Sequence, residues 1–280
     1  MPNTKYLLTI ILCLATQFGW AQDDKPYFEG EIYRIQMSSG IGSEYKGKHE
    51  LRTIYKNGNK HIIDVRLGRH TIQLSDQNRC IVYYEGQTEA AEYPLDKLYN
   101  MGHTDGAFGI EKKFTFAKSE ETTEILGYTC EIYDGEANIT QDFKAGKLQK
   151  NTVNAIRFAV CPNWKTDSIW QRQNSQYPVD GIVMKMVSDS KTTGKSGFSK
   201  LHGNLYTSEK VKEVNEREVD EKEFDVPEGI QIKKFRTYFS ATTLLNRLSA
   251  ENKKVLKKAK RYPTQLPDND TFDTDDEWED

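Results

Sequence analysis

The chain has 280 residues, which is enough for one large β domain or two small ones. Its 39 Lys and Arg residues and 42 Asp and Glu residues leave a net charge of only −3. This near balance argues against nucleic acid as a partner, because such a binder needs a basic surface. Hydrophobic residues make up 36% of the chain and aromatic residues 11%, which excludes a disordered acidic polymer and predicts elements with one solvated face.

The N-terminus has the pattern of an export signal. Lys5 supplies a positive charge, residues 7–15 form a short apolar run, and Gly19 and Ala21 are the small residues that a signal peptidase requires. We predict cleavage between Ala21 and Gln22, so that the mature chain is exported to the periplasm or secreted. The apolar run is too short to cross a bilayer, which favours a removed signal over a membrane anchor.

The middle of the chain reads mainly with a period of two, as half-buried strands do. Asn57-Gly58 lies between two such runs and predicts a tight hairpin turn. No linker-like boundary divides residues 22–238, so we predict a single domain built on one antiparallel sheet of roughly nine to eleven strands, which must curl, with a short helix over 94–101. The predicted strands cover residues 27–35, 49–55, 61–66, 71–74, 80–84, 113–116, 123–133, 152–160, 181–187, 202–214 and 218–224.

The C-terminal part has two contrasting pieces. Residues 239–262 show apolar spacing of three and four with a basic opposite face, which predicts a basic amphipathic helix. That face indicates either peripheral contact with an anionic membrane or partner, or simply a solvated surface, and the solvated surface is the commoner case. Residues 263–280 contain eight acidic and no basic residues and predict a disordered tail that loosely neutralises the helix.

Three cysteines remain once the signal is removed. The midpoint between Cys130 and Cys161 falls at Ala145-Gly146, within a plausible turn, so the two cysteines can face each other across a hairpin. Opposed strand residues lie within disulfide range. We therefore predict a structural disulfide between Cys130 and Cys161, with Cys80 free. A redox pair is the weaker interpretation, because no CxxC arrangement is present.

The sequence contains no familiar catalytic or metal-binding motif. It has no HExxH pair, no GxSxG segment and no phosphate-binding glycine loop. We therefore predict a protein that is not an enzyme and that uses no metal and no cofactor.

Three segments, in this order, resemble a family of exported proteins of unknown function. Residues 27–32 read YFEGEI, residues 122–133 have the form T-x-x-I-x-G-Y-x-C-x-x-Y, and residues 224–229 have the form F-x-x-P-x-G. The closing segment is similar to that of the LolA/LolB-like lipoprotein-carrier superfamily. The resemblance implies a curved, unclosed antiparallel half-barrel with an apolar hollow and a few short helices.

The resemblance also implies a function. It indicates a non-catalytic exported protein that binds a lipophilic ligand or a lipoprotein acyl chain in the hollow. The alternative is a structural protein of the envelope that binds a protein partner through the sheet or the C-terminal helix. By residue type, Ile182, Met184 and Met186 are candidates to line the hollow, since methionine adapts to irregular ligands; core packing explains the same alternation.

Overall fold

The computed structural model describes residues 25–40, 47–96, 103–104, 108–143, 148–166, 181–195 and 203–258. The predicted signal peptide with its cleavage site between Ala21 and Gln22 lies outside these residues, as do the predicted acidic tail and most of the predicted helix over 94–101. For these segments the predictions made from the sequence stay predictions.

The described residues form a mainly β fold with one sheet of thirteen strands, in the order β13-β6-β5-β4-β3-β2-β1-β12-β11-β10-β9-β8-β7. The sheet is not closed, and its two edge strands are β13 and β7. The strands are β1 Gly30–Gly40, β2 Gly47–Lys56, β3 Asn59–Asp64, β4 Arg69–Leu74, β5 Arg79–Tyr84, β6 Glu89–Pro94, β7 His103–Thr104, β8 Phe108–Ile125, β9 Tyr128–Phe143, β10 Leu148–Cys161, β11 Ile182–Lys195, β12 Gly203–Glu216 and β13 Gln231–Lys234.

The predicted mainly β architecture is confirmed, but the sheet is mixed rather than wholly antiparallel. β13 runs parallel to β6, with Ile232 opposite Ala90. The chain reaches this edge by crossing from β12, near the middle of the sheet, over residues 217–230, which we call the return segment. β13 contains two lysines and one isoleucine. A run this short has too little alternation for a strand to be predicted from the sequence.

Of two turns in the sheet, one was predicted correctly from the local sequence and the other was missed. Asn57 and Gly58 adopt φ values of 51° and 79° and connect β2 to β3, so the predicted hairpin is confirmed. The predicted strand over 123–133 is wrong, because Leu126 and Gly127 adopt φ values of 53° and 80° and turn the chain between β8 and β9. Apolar residues lie on both sides of this turn, and the period-two pattern changes phase between Ile125 and Tyr128.

The predicted strand over 218–224 is also wrong. Residues Glu221–Phe224 form a 3₁₀ helix, and the side chain of Asp220 accepts a hydrogen bond from the backbone N–H of Lys222 at 3.0 Å. This is the N-cap geometry that acidic side chains favour. The return segment therefore lies across the sheet as a compact turn and not as a strand within it.

The predicted C-terminal helix is confirmed as α1, Tyr238–Lys258. Its buried stripe is Ala241, Leu244, Leu245 and Leu248, which packs on Val82 and the alternate residues of β5 and β6. The helix continues through Ser249 without a break. Near its end, the Asn252 side-chain amide donates to the Leu67 carbonyl at 2.7 Å, which fixes α1 to the β3–β4 turn.

Strand β5 is buried on both faces. Cys80, Val82 and Tyr84 pack against α1, whereas Ile81 and Tyr83 alternate with them and pack against the return segment. The return segment contributes Val219 and Phe224, which are 1% and 6% exposed. One half of the sheet is therefore enclosed between α1 and the return segment.

Gly135 on β9 lies where the backbones of β8 and β9 approach each other closely. A Cβ added at this position would lie 2.1 Å from the carbonyl oxygen of Thr115. We expect Gly135→Ala to lower the free energy of unfolding by about 1–3 kcal/mol, because the backbone must move apart. Urea unfolding measures the change. The exposed neighbouring substitution Glu136→Ala is the control, and equal midpoints for the two variants would contradict the expectation.

Candidate functional site

The three residues proposed from the sequence to line a hollow do not share one cluster. Along β11, Val183 pairs with Val160 and Lys185 with Ala159, so Met184 is an extra residue that forms a β-bulge. A bulge shifts the alternation of the side chains that follow it. Ile182 and Met184 belong to a cluster that contains Ala159, whereas Met186 belongs to a cluster that contains Val160.

These two clusters lie on opposite faces of β10. Ala159 and Cys161 belong to the first cluster, and Phe158 and Val160 alternate with them and belong to the second. All three candidate residues are buried, at 1% exposure for Ile182 and Met184 and 9% for Met186. The structure therefore brings Ile182 and Met184 together and separates them from Met186.

The first cluster is covered by aromatic side chains from outside the sheet. The ring of Phe28 packs edge-to-face against Tyr55 and Trp164, with centroids 5.7 and 5.4 Å apart. The backbone N–H of Phe28 donates to the Lys165 carbonyl at 2.9 Å, so the segment before β1 is tied to the segment after β10. This face is filled by the protein's own core.

The second cluster, which we call the β8–β11 cluster, is built differently. Tyr133 stacks on Phe158 with centroids 5.4 Å apart, and Phe116 meets the same ring edge-on at 5.4 Å. Among the described residues, every member of this cluster lies on a strand, and none comes from α1 or from the return segment. The members are Phe116, Tyr133, Ala137, Ile156, Phe158, Val160, Val183 and Met186.

A polar group borders this apolar cluster. The hydroxyl of Tyr133 donates to Glu131 at 2.9 Å, and the Lys118 ammonium binds the same carboxylate at 2.7 Å. The Lys118 and Tyr133 hydrogen bonds hold the pKa of Glu131 below its usual value against the opposing effect of burial. The site thus combines an aromatic and methionine surface with a charged rim, an arrangement that suits an amphiphile.

The predicted cysteine hairpin is present, but the structure contains no disulfide among its described cysteines. Glu131 pairs with Val160 at the end of the β9–β10 ladder, and the same register continued by one residue sets Cys130 against Cys161. Both are buried thiols, and the Cys130 thiol donates to the Tyr128 carbonyl at 3.4 Å. Burial, with a contribution from the neighbouring Cys161, raises the pKa of Cys130 to about 12.

The raised pKa values of the opposed Cys130 and Cys161 thiols argue against the redox interpretation. Burial also raises the pKa of Cys161, and it raises that of Cys80, which is a free thiol, to about 11. Thiolates are the reactive form of cysteine. None of the three thiols therefore has the activated character of a catalytic cysteine, and the disulfide stays a prediction.

A histidine relay that sequence spacing did not reveal lies beneath the return segment. The Nδ1–H of His61 donates to the Glu223 carbonyl at 2.7 Å, because a carbonyl can only accept. The Nε2 of a neutral His61 then accepts from the Nδ1–H of His70 at 3.0 Å. On its other side, His70 faces Glu85 at 3.4 Å and stacks on Tyr83. The pairing of β3 with β4 brings the two histidines together.

Burial keeps His61 neutral. Desolvation lowers its pKa to about 4, against the opposing hydrogen bond to the Glu223 carbonyl. Every ring nitrogen of this neutral histidine has a hydrogen-bond partner. The hydrogen bond from His61 therefore positions the return segment against β3.

Ion pairs brace the same segment internally and also attach it to the sheet. Arg217 donates two hydrogen bonds to Glu223, both 2.7 Å long, and holds the pKa of that carboxyl below its usual value. Lys56 donates to the Val219 carbonyl at 2.6 Å and binds Glu221 at 3.0 Å. Each of these basic side chains contacts more than one acceptor, which indicates a structural attachment.

The part of the chain that the structure describes holds no group of three or more His, Cys, Asp or Glu residues suited to a metal ion. Among the described helices, none combines the length and the apolar character needed to span a membrane.

Comparison with known proteins leaves the chain without a family. No family model matches it, and no curated protein matches it. A solved structure described as "Structure of PNGF-II in C2 space group" is similar to it, with a TM-score of 0.40 and 11% sequence identity over 80% of this chain and 33% of that one. The chain thus spans about a third of the length of that structure. A similarity this low supports no inference about activity.

The His61 relay predicts acid sensitivity. The folded protein keeps His61 neutral down to about pH 4, whereas the unfolded chain binds the proton near pH 6.5. Between these values the unfolded state binds more protons, so this contribution is fully present above pH 6.5 and is lost as the pH falls to 4. We expect a loss of about 2–3 kcal/mol in the free energy of unfolding from this group.

Urea unfolding at about pH 7 and about pH 4.5 checks this expectation. His61→Gln keeps an N–H donor for the Glu223 carbonyl but does not titrate, so its free energy of unfolding should fall less on acidification than that of the wild type. An equal fall in both proteins would contradict a role for His61.

The cysteine pair predicts a redox-dependent stability. Exposure to an oxidising buffer should join Cys130 to Cys161, and the cross-link should raise the free energy of unfolding by about 3–4 kcal/mol. Peptide mapping without reductant and urea unfolding measure the two effects. Cys80→Ala serves as the control and should retain the oxidised–reduced difference, whereas a bridge to Cys80 in the wild type would refute this pairing.

Proposed function

We propose that the protein is an exported, non-catalytic binding protein with a LolA-like half-barrel, and that it takes a lipophilic ligand or a lipoprotein acyl chain on the β8–β11 cluster. The observation that carries the proposal is a large apolar cluster whose described members all lie on four strands. The sheet's other apolar clusters are packed against Phe28 and Trp164, α1 or the return segment.

The width of the sheet supports the half-barrel. An open sheet of thirteen strands curls rather than staying flat. Bulges at Tyr33/Arg34, Ala159/Val160 and Lys118/Thr122 add local bends to the long strands. In a half-barrel, the curl would turn one face of β8–β11 inward, which is compatible with the burial of Phe158, Val160 and Met186 on that face.

The chemistry of the β8–β11 cluster suits an acyl chain. Phe116, Phe158 and Met186 are apolar side chains without fixed hydrogen-bond directions, and methionine adapts its shape to irregular ligands. Each methylene removed from water contributes about 0.8 kcal/mol. Lys118 and Glu131 at the border would remain near the polar end of an amphiphile.

A second candidate function is binding of a protein partner or an anionic membrane through α1. One observation favours it: Phe239 is 73% exposed at the start of a helix whose last two turns carry four exposed lysines. Exposed aromatic and basic side chains on one helix are typical of interfacial contacts.

Paired methionine variants test the ligand proposal. Organic extracts of gently purified protein, read by mass spectrometry, should contain a lipid near equimolar amount. Met186→Gln should reduce the bound lipid about fivefold by placing an amide in the apolar site. Met184→Gln is the matched control, two residues away but in the other cluster, and should retain the lipid per folded molecule. Absence of lipid together with no uptake of an apolar dye would overturn the proposal.

A further inference from the structure

A row of uncharged polar side chains crosses neighbouring strands near the middle of the sheet. Ser38 of β1 lies opposite Thr207 of β12, and their hydroxyl oxygens are 3.4 Å apart. Thr207 in turn lies opposite Ser188 of β11. Side chains of directly opposed residues project from the same face of a sheet. The three hydroxyl groups therefore share one face.

The row continues from β11 to β10. Ser188 and Ser190 alternate onto one face of β11, and their hydroxyl oxygens are 3.5 Å apart. Ser190 lies opposite Asn154 of β10, which adds a carboxamide to the hydroxyl groups. We call the whole set the polar row; its members are Ser38, Asn154, Ser188, Ser190 and Thr207.

The polar row is largely buried, and one of its acceptors is unpaired. Ser188 and Asn154 are 5% and 6% exposed, and Ser38 and Ser190 are buried as well. Within the part of the chain that the structure describes, the buried Oδ1 atom of Asn154 has no hydrogen-bond partner. Buried polar groups are almost always hydrogen-bonded, because an unpaired one costs free energy. The unpaired acceptor therefore indicates a donor that comes from a bound molecule.

The polar row borders the β8–β11 cluster. Ile156 lies opposite Ser188, and Ala137 lies opposite Asn154. Both of these apolar residues belong to the cluster, as does Met186, which precedes Ser188 by one full alternation of β11. The sheet thus brings a buried uncharged acceptor next to the apolar side chains that we propose for an acyl chain.

The charged groups near this face are already paired. Glu209, which lies opposite Met186, binds Arg34 at 3.3 Å. At the other border of the cluster, Lys118 binds Glu131 at 2.7 Å. The polar row itself carries no charge. A carboxylate or phosphate buried there would lose its hydration without gaining a counter-charge from the row, whereas a neutral polar group would lose far less.

We propose that the polar row binds the uncharged head group of a neutral lipid, whose hydroxyl or amide N–H donates to the Oδ1 atom of Asn154. The inference rests on the proposed function, in which the acyl chain lies on the β8–β11 cluster, and it adds the class of head group. Ser188 and Ser190 suit such a group because a hydroxyl can both donate and accept a hydrogen bond.

Displacement of an apolar fluorescent dye by three matched lipids tests the class of head group. Monooleoylglycerol, methyl oleate and oleate share one acyl chain, but their polar ends carry hydroxyl donors, no donor and a carboxylate, respectively. The wild type should bind monooleoylglycerol about tenfold more tightly than methyl oleate, because a buried acceptor gains its hydrogen bond. It should bind oleate more weakly than monooleoylglycerol, because the carboxylate loses its hydration.

Asparagine variants locate the head group. Asn154→Leu removes the acceptor at similar size, so it should lower the affinity for monooleoylglycerol about tenfold. Its affinity for methyl oleate should stay unchanged, which also shows that the variant is folded. Asn138→Leu is the matched control, because Asn138 lies opposite Val153 and therefore on the other face of the sheet, and it should keep the wild-type preference. Ser190→Ala, a smaller change within the row, should lower the affinity for monooleoylglycerol about threefold.

The outcomes separate this inference from the proposed function. Equal affinities of the wild type for monooleoylglycerol and methyl oleate would leave the acyl-chain site standing and would overturn the head-group inference, because a buried water would then satisfy Asn154. A preference for monooleoylglycerol that persists in Asn154→Leu, or tightest binding of oleate, would overturn it too. Binding of neither dye nor lipid would overturn both proposals.

Discussion

The attachment of the return segment to the sheet is the constraint on which the rest of the fold depends. The segment must leave β12 near the centre and reach the far edge as β13, so it crosses several strands. Its apolar side chains Val219 and Phe224 are buried against the sheet, and Arg217 braces Glu223 from within the segment. The carbonyl of Glu223 accepts from His61, which links this brace to β3.

This attachment makes the two halves of the sheet different. The half from β2 to β6 is enclosed by α1 and the return segment, and its polar groups serve to hold those covers in place. The half from β8 to β11 has long strands, and every described member of its cluster lies on those strands. Among the described residues, the two halves therefore differ in how their apolar side chains are buried: covering elements contribute in the first half, and neighbouring strands alone do so in the second.

The sequence predicted the parts of this fold that local chemistry controls. Period-two alternation located most strands, and Asn57-Gly58 specified its own turn because both residues tolerate positive φ. The parallel addition of β13 depends on a distant edge, and Leu126 gives no local sign that it will adopt a positive φ. His61 contacts His70 because of the register in which β3 pairs with β4. The separation of nine residues between the two histidines in the sequence does not indicate this contact.

The bulge at Met184 shows how one residue determines which face a site occupies. In an uninterrupted strand, Ile182, Met184 and Met186 would share a face, which is how alternation alone presents them. The extra residue instead moves Met186 to the side of Phe158. Residues of β11 beyond that point change face with it, so the place of Met186 in the β8–β11 cluster follows from a single insertion. Which side chains share a face of this sheet therefore depends on its irregularities, and the bulge at Met184 is defined by the pairing of β11 with β10 as much as by the sequence of β11 itself.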